Sequence, residues 1–211
     1  TTTSYTFAIN YAEVTSPYIY SFETQEQYDK NASLIVTGGN KYPTSASYNE
    51  TARAAELKSP QWKSSYEYGI TVNDGPKLAA YNYVKIRYRI SECYQPKKEP
   101  TGLYAGVYVN NNTGYSMDAP ANAPKIQSEE WYDVIMPVSA SQYGNYTVSR
   151  IFLEYDYDIN QIWTNLQIKY VGLFDSYAAA SKFDYNADLI KEFRIGENVG
   201  TVNDAKKTIE C

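Results

Sequence analysis

The chain has 211 residues, of which 43% are hydrophobic and 20% charged, and a formal net charge of −5. That length allows one large β-domain or two small ones, with a core that needs no disulfide staples. An acidic balance argues against nucleic acid, and no apolar run approaches the ~20 residues of a membrane helix.

Tyrosine occurs 24 times and histidine not at all. Tyrosine joins a broad apolar ring to a hydroxyl that donates and accepts, so this excess predicts rings turned to solvent or to a ligand. The missing histidine removes the usual general base, zinc ligand and triad member. The composition therefore points toward binding and away from catalysis.

In chain order, Tyr5 to Ile9, Tyr18 to Phe22 and Leu34 to Thr37 read as strands, the last stopped by Gly38-Gly39-Asn40. Ala52 to Leu57, a strand or a helical turn, and Glu67 to Val72 follow. The strongest alternation runs from Tyr83 to Ile90, with Val84, Ile86, Tyr88 and Ile90 on a core face and Tyr83, Lys85, Arg87 and Arg89 on a wetted one. Leu103 to Val109 sets Leu103, Ala105, Val107 and Val109 against Tyr104 and Tyr108, and Asn110 to Gly114 has hairpin-turn composition. Trp131 to Val138 is a strand. Arg150 to Asp156 alternates Ile151, Leu153 and Tyr155 with Phe152, Glu154 and Asp156. Ile162 to Phe174 puts Ile162, Thr164, Leu166, Ile168, Tyr170 and Phe174 on one side. Ser176 to Phe183 is alanine-rich and predicts a helix capped by Ser176, with a second short helix from Asn186 to Phe193. From Gly196 the chain turns polar, as a linker or fraying end does.

Many short strands between turn signals predict an antiparallel β-sandwich over residues 1–183, with a short helical tail or linker over 184–211. The N-terminus carries no signal peptide and no initiator Met, which suggests a segment of something longer. Cys93 and Cys211 are too few for a disulfide framework and read as unpaired thiols. Asn-x-Ser/Thr triplets at Asn31, Asn49, Asn111 and Asn145 read as turn chemistry rather than glycan acceptors.

The stretch Gln167-Ile168-Lys169-Tyr170-Val171-Gly172-Leu173-Phe174-Asp175-Ser176, followed by Ala178, Ala179 and Phe183, resembles the closing strand and helix of jelly-roll modules. Such modules occur in secreted and surface proteins of Gram-positive bacteria and are similar to carbohydrate-binding modules. Asn82 to Arg89 corresponds to their central strand, Trp131 to Val134 to a later one and Arg150 to Leu153 to the penultimate one. The resemblance spans about Tyr18 to Phe183. It implies a jelly-roll sandwich in a secreted or cell-surface bacterial protein, with polysaccharide and neighbouring domains of the same chain as partners. It also implies a structural calcium ion, held partly by an acidic residue of the closing strand. Lys169 stands in that neighbourhood here, and Glu23, at the end of an early strand, is the carboxylate that remains. No other cofactor is expected.

Three constellations bear on function. If the alternating strands share one sheet, Tyr104, Tyr108, Arg87, Glu154, Trp163 and Gln167 form one outer face of rings and planar polar groups. Rings stack on the C–H faces of sugars while the polar groups meet hydroxyls. The alternative is a solvated face whose tyrosines serve strand pairing. Asp156, Asp158 and Asn160 offer oxygens that can wrap a hard cation, or form a polar turn. Gln161 and Gln167 stand where a calcium loop of the EF-hand kind needs Gly and Glu. Carboxylates such as Glu129, Glu130, Asp133 and Glu154 sit in no hydrolase motif, so no enzyme is expected. The reading is non-catalytic polysaccharide binding that tethers a larger protein. A structural or adhesive surface domain that binds protein partners is the alternative.

Overall fold

The computed structural model describes residues 17–59, 67–93, 102–118, 128–138, 143–156, 164–183, 193–195, 198–203 and 208–210. The chain divides into two units, Thr1–Ala180 and Ser181–Cys211.

The first unit is an all-β sandwich. Its strands are β1 (Tyr18–Ser21), β2 (Ser45–Asn49), β3 (Ala54–Lys58), β4 (Glu67–Thr71), β5 (Tyr83–Cys93), β6 (Gly102–Val109), β7 (Gly114–Asp118), β8 (Tyr132–Pro137), β9 (Val148–Asp156) and β10 (Thr164–Phe174). One sheet has six strands in the order β2-β3-β10-β5-β8, with β1 also paired to β10, and the other has four in the order β4-β9-β6-β7. The described pairings are antiparallel. Helix α1 (Gln25–Asn31) follows β1, and α2 (Tyr177–Lys182) follows β10.

Alternation decides which side chains make the core. Val84, Ile86, Tyr88 and Ile90 of β5 meet Leu103, Ala105, Val107 and Val109 of β6 and Ile151, Leu153 and Tyr155 of β9 in one buried cluster. Tyrosine is part of that interior. Tyr68 and Tyr155 stand edge to face, 6.1 Å apart, and the buried Tyr68 hydroxyl donates to the Thr164 carbonyl at 2.5 Å. A buried phenol is tolerated where its hydroxyl finds such a partner.

Four sequence expectations change. In β10 the register slips between Ile168 and Tyr170, so one residue is inserted at Lys169 and the alternation changes phase. Val171 and Leu173 enter the core with Leu166 and Ile168, while Tyr170 and Phe174 turn to the outer side despite their burial. Lys85, expected on a wetted face, is only 2% exposed. Its ammonium donates to the Ala180 carbonyl of α2 at 2.9 Å and lies 3.6 Å from Asp133. This end of the outer face is covered by α2, where Tyr83 meets Tyr177 at 6.0 Å. Leu34 to Thr37 is not a strand: Ala32–Leu34 is a 3-10 turn, and Ile35 makes a single bridge to Ile70. Before it lies α1, which sequence reading missed although Thr24 and Gln27 form a capping box.

Other expectations hold. Ser176 caps α2, its Oγ accepting from the Ala179 amide at 3.2 Å. Asn110, Asn111 and Asn112 all take positive φ in the β6–β7 turn, a backbone region asparagine tolerates well. Asn49 accepts from the Ala52 amide in the β2–β3 turn, and Asn31 is buried with its amide on the Ser21 carbonyl. Asn49 thus serves turn chemistry as expected, whereas Asn31 instead ties α1 to β1.

In the second unit, β11 (Phe193–Ile195), β12 (Asn198–Asn203) and β13 (Thr208–Glu210) form an antiparallel sheet. The polar linker expected from Gly196 is therefore partly strand. The helix expected over Asn186 to Phe193 falls mostly on residues outside those described, as does the strand expected at Tyr5 to Ile9. Cys93 is buried, and Cys211 lies outside the described residues.

Candidate functional site

Of the six residues expected to share one face, the five that are described lie on two. Tyr104, Tyr108 and Glu154 stand on β6 and β9 of the four-stranded sheet, while Arg87 and Gln167 stand on β5 and β10 of the six-stranded one. Each group points away from the core, so the two groups occupy opposite outer sides of the sandwich. Trp163 lies outside the described residues, as do Asp158 and Asn160. Asp156 ends β9, where it pairs with Gly102.

Tyr104, Tyr108 and Tyr115 stand on the outer side of the four-stranded sheet. Tyr104 pairs across strands with Glu154, and Tyr108 with Arg150. The next strand sets Tyr115 opposite Tyr108, with ring centroids 6.1 Å apart. Tyr115 is 54% exposed and Met117 39%. Phe152 is buried beneath them, 4.7 Å from the Tyr108 ring. Gly106 permits this close layer: a Cβ there would fall 2.2 Å from the Ser116 carbonyl oxygen.

Below the rings sits a buried carboxylate. Glu67 has no exposed surface and pairs with Lys41, while Arg150 reaches its Oε1 at 3.0 Å. The Tyr108 hydroxyl donates to Glu67 Oε2 at 3.0 Å and accepts from Lys41 at 3.1 Å. Arg150 also donates to the Tyr42 hydroxyl at 2.7 Å, with its guanidinium 5.3 Å from the Tyr42 ring centre. Burial pushes the Tyr108 phenol up, and Lys41 offsets that only in part. Burial pulls Lys41 and Arg150 down, but bonds from Glu67 with Tyr108, and from Tyr42 with Glu67, outweigh it and leave both raised. The Tyr108 hydroxyl is thus committed to this network, and its ring lies among Phe152, Tyr115, Lys41 and Arg150.

The outer side of the six-stranded sheet is polar around one tryptophan. Trp131 precedes β8, and the Arg89 guanidinium and Lys169 ammonium each lie 4.9 Å from its ring centre. Gln167 accepts both Nε and Nη2 of Arg89, at 2.9 and 2.5 Å, and donates to Glu56 at 3.2 Å. Arg87 pairs with Asp133 at 3.0 Å. The residues do not fit the calcium ion that the resemblance implies. Lys169 lies 3.6 Å from Glu23, an ammonium where a metal would need a further oxygen. Among the described residues no cluster of three or more His, Cys, Asp or Glu side chains is placed to hold a metal.

Sequence reading missed Tyr115, Met117, Tyr42 and Glu67. For Tyr115 a signal existed: a hairpin at Asn110 to Gly114 carries the alternation into 114–118 and sets Tyr115 beside Tyr108. Glu67 gave none, because its partners Lys41 and Arg150 are far off in sequence.

No family model matches the chain, and no curated protein does. Among solved structures, it is similar to the module CBM27-1 of Caldicellulosiruptor saccharolyticus in complex with mannohexaose, at 13% identity over 77% of this chain and 98% of that one, with a TM-score of 0.47. A family 29 carbohydrate-binding module aligns at 11% identity over 83% of this chain and 97% of that one, with a TM-score of 0.45. The low-affinity xylan-binding module CBM86 from Roseburia intestinalis aligns at 11% identity over 78% of this chain and 99% of that one, with a TM-score of 0.41.

Proposed function

We propose that this chain is a non-catalytic module that binds a polysaccharide on the outer side of its four-stranded sheet, and that it tethers a larger secreted or cell-surface protein to that glycan. One observation carries the reading. Tyr104, Tyr108 and Tyr115 stand on adjacent strands of one outward surface, with Glu154 directly across from Tyr104. Tyr104 and the exposed Tyr115 offer ring surfaces to the C–H faces of sugars on either side of Tyr108, and the carboxylate offers an acceptor to hydroxyls. The buried Glu67 network fixes Tyr108 in place, so little rotamer freedom is lost on binding. Each stacked ring adds about 0.5–1.5 kcal/mol beyond its area. A single module is therefore a weak binder that relies on neighbouring domains for avidity.

Affinity electrophoresis against a panel of neutral plant and microbial polysaccharides tests this. Retardation on at least one glycan, reduced in Tyr104→Ala and Tyr115→Ala, is the expected result. Unretarded migration on every glycan overturns the reading in favour of an adhesive domain that meets protein partners.

A further inference from the structure

We propose that the outer side of the six-stranded sheet carries a second glycan site, centred on Trp131, that takes an acidic sugar. It lies on the opposite side of the sandwich from Tyr104 and does not depend on that face binding anything.

The argument begins with Arg89. Its side chain is only 18% exposed, yet the carboxylate nearest to it is Glu129, 3.7 Å away on a side chain that is 93% exposed. Its close partners are neutral: the Gln167 amide oxygen, which takes two of its N–H groups, and the Glu129 carbonyl at 3.2 Å. A guanidinium carries five donors, so two remain without a described partner. A largely desolvated cation held by neutral oxygens favours an incoming carboxylate, which makes the stronger, charge-assisted bond. The solvated Glu129 side chain is a weak competitor, since exposed pairs contribute little.

The surroundings reinforce this. Lys169 lies over the same indole as Arg89, and its one described carboxylate is Glu23 at 3.6 Å. Arg89 and Lys169 converge on Trp131, while Glu23 pairs with Lys169, Glu56 accepts from the Gln167 amide, and Glu129 is solvated. Trp131 narrows the identity of the ligand. The indole is partly exposed, and its N–H has no described acceptor, so it offers the part of its ring that Arg89 and Lys169 leave open and a donor beside the guanidinium. A pyranose bearing a carboxylate matches all three: C–H face on the ring, hydroxyl on the indole N–H, carboxylate on Arg89.

The test titrates the whole chain with a hexamer of galacturonic acid, and in parallel with cellohexaose and a glutamate hexapeptide. Binding is followed by calorimetry and by the Trp131 indole N–H resonance. The uronate hexamer should shift that resonance and bind at least about tenfold more tightly than either control. Affinity should fall about tenfold in Arg89→Gln and in about 0.3 M salt, fall less in Arg89→Lys, and stay unchanged in Tyr104→Ala. A static Trp131 resonance, undiminished binding by a folded Arg89→Gln variant, or an equal shift of the Trp131 resonance by either control overturns the proposal. Loss of binding in Tyr104→Ala would assign the ligand to the other face and overturn it as well.

Discussion

Replacing Glu67 by Gln keeps its shape and removes its charge, which makes it the sharpest probe of the layer beneath the tyrosines. Glu67 is fully buried and serves Arg150, Lys41 and the Tyr108 hydroxyl together. Removing one member of a buried ion pair costs roughly 3–5 kcal/mol, chiefly because the remaining charge stays desolvated. Arg150 fits that case, with its side chain 13% exposed, whereas Lys41 at 32% regains water and adds less. The low end, about 3 kcal/mol, is the expected loss. For a chain of this length each kcal/mol moves Tm by about 2–4 °C, so thermal unfolding should drop by about 6–12 °C. Urea unfolding of Glu67→Gln, Arg150→Met and the double variant completes the cycle. The double variant should be less destabilised than the sum of the singles, since removing Arg150 relieves the orphaned cation. A fall in Tm below about 2 °C for Glu67→Gln, or strict additivity in the cycle, would refute the reasoning.

Three further outcomes are expected. Gly106→Ala should destabilise by about 1–3 kcal/mol in urea unfolding, because the new methyl meets β7 backbone, at Ser116 and Met117, rather than a movable side chain. Ser176→Ala should cost about 0.5–2 kcal/mol through loss of the bond to the Ala179 amide, with the same change at the exposed Asn145 as a neutral control. The pH profile of Tm should be flat through neutrality and fall under alkali. No histidine titrates there, and Tyr20, Tyr88, Tyr108, Tyr170 and Lys41 all hold their protons more tightly in the fold. Raised folded pKa values stabilise fully below about pH 10 and lose that contribution as pH climbs through the folded values. A step in Tm between pH 6 and 8 would contradict this.

Period-two patterning made β5, β6 and β9 legible, because each has one face in a common core and side chains alternate without interruption. It read Tyr104 and Tyr108 on the side away from the core, and neither belongs to the buried cluster. It did not tell which strands are neighbours, so Arg87 and Gln167 were grouped with residues that stand on the other sheet. Pairing is a long-range property, and local alternation carries no address. The buried state of Lys85 was hidden for a related reason: what covers it is α2, almost a hundred residues later. Helix α1 is a different kind of miss, since its capping box is local and was readable in Thr24 and Gln27. The outward turn of Tyr170 and Phe174 depends on a bulge, which no propensity in β10 announces.

That inserted residue makes β10 behave like a message read in two frames. Ahead of Lys169 the strand answers to β3, and beyond it to β1. Deleting Lys169 would give a single frame with the same pairs, Ile168 opposite Tyr88 and Tyr170 opposite Arg87, and so keep Val171 and Leu173 in the core while removing the ion pair to Glu23. Anyone who must shorten this strand should therefore take the inserted residue before a paired neighbour, since the pairings on either side survive its loss.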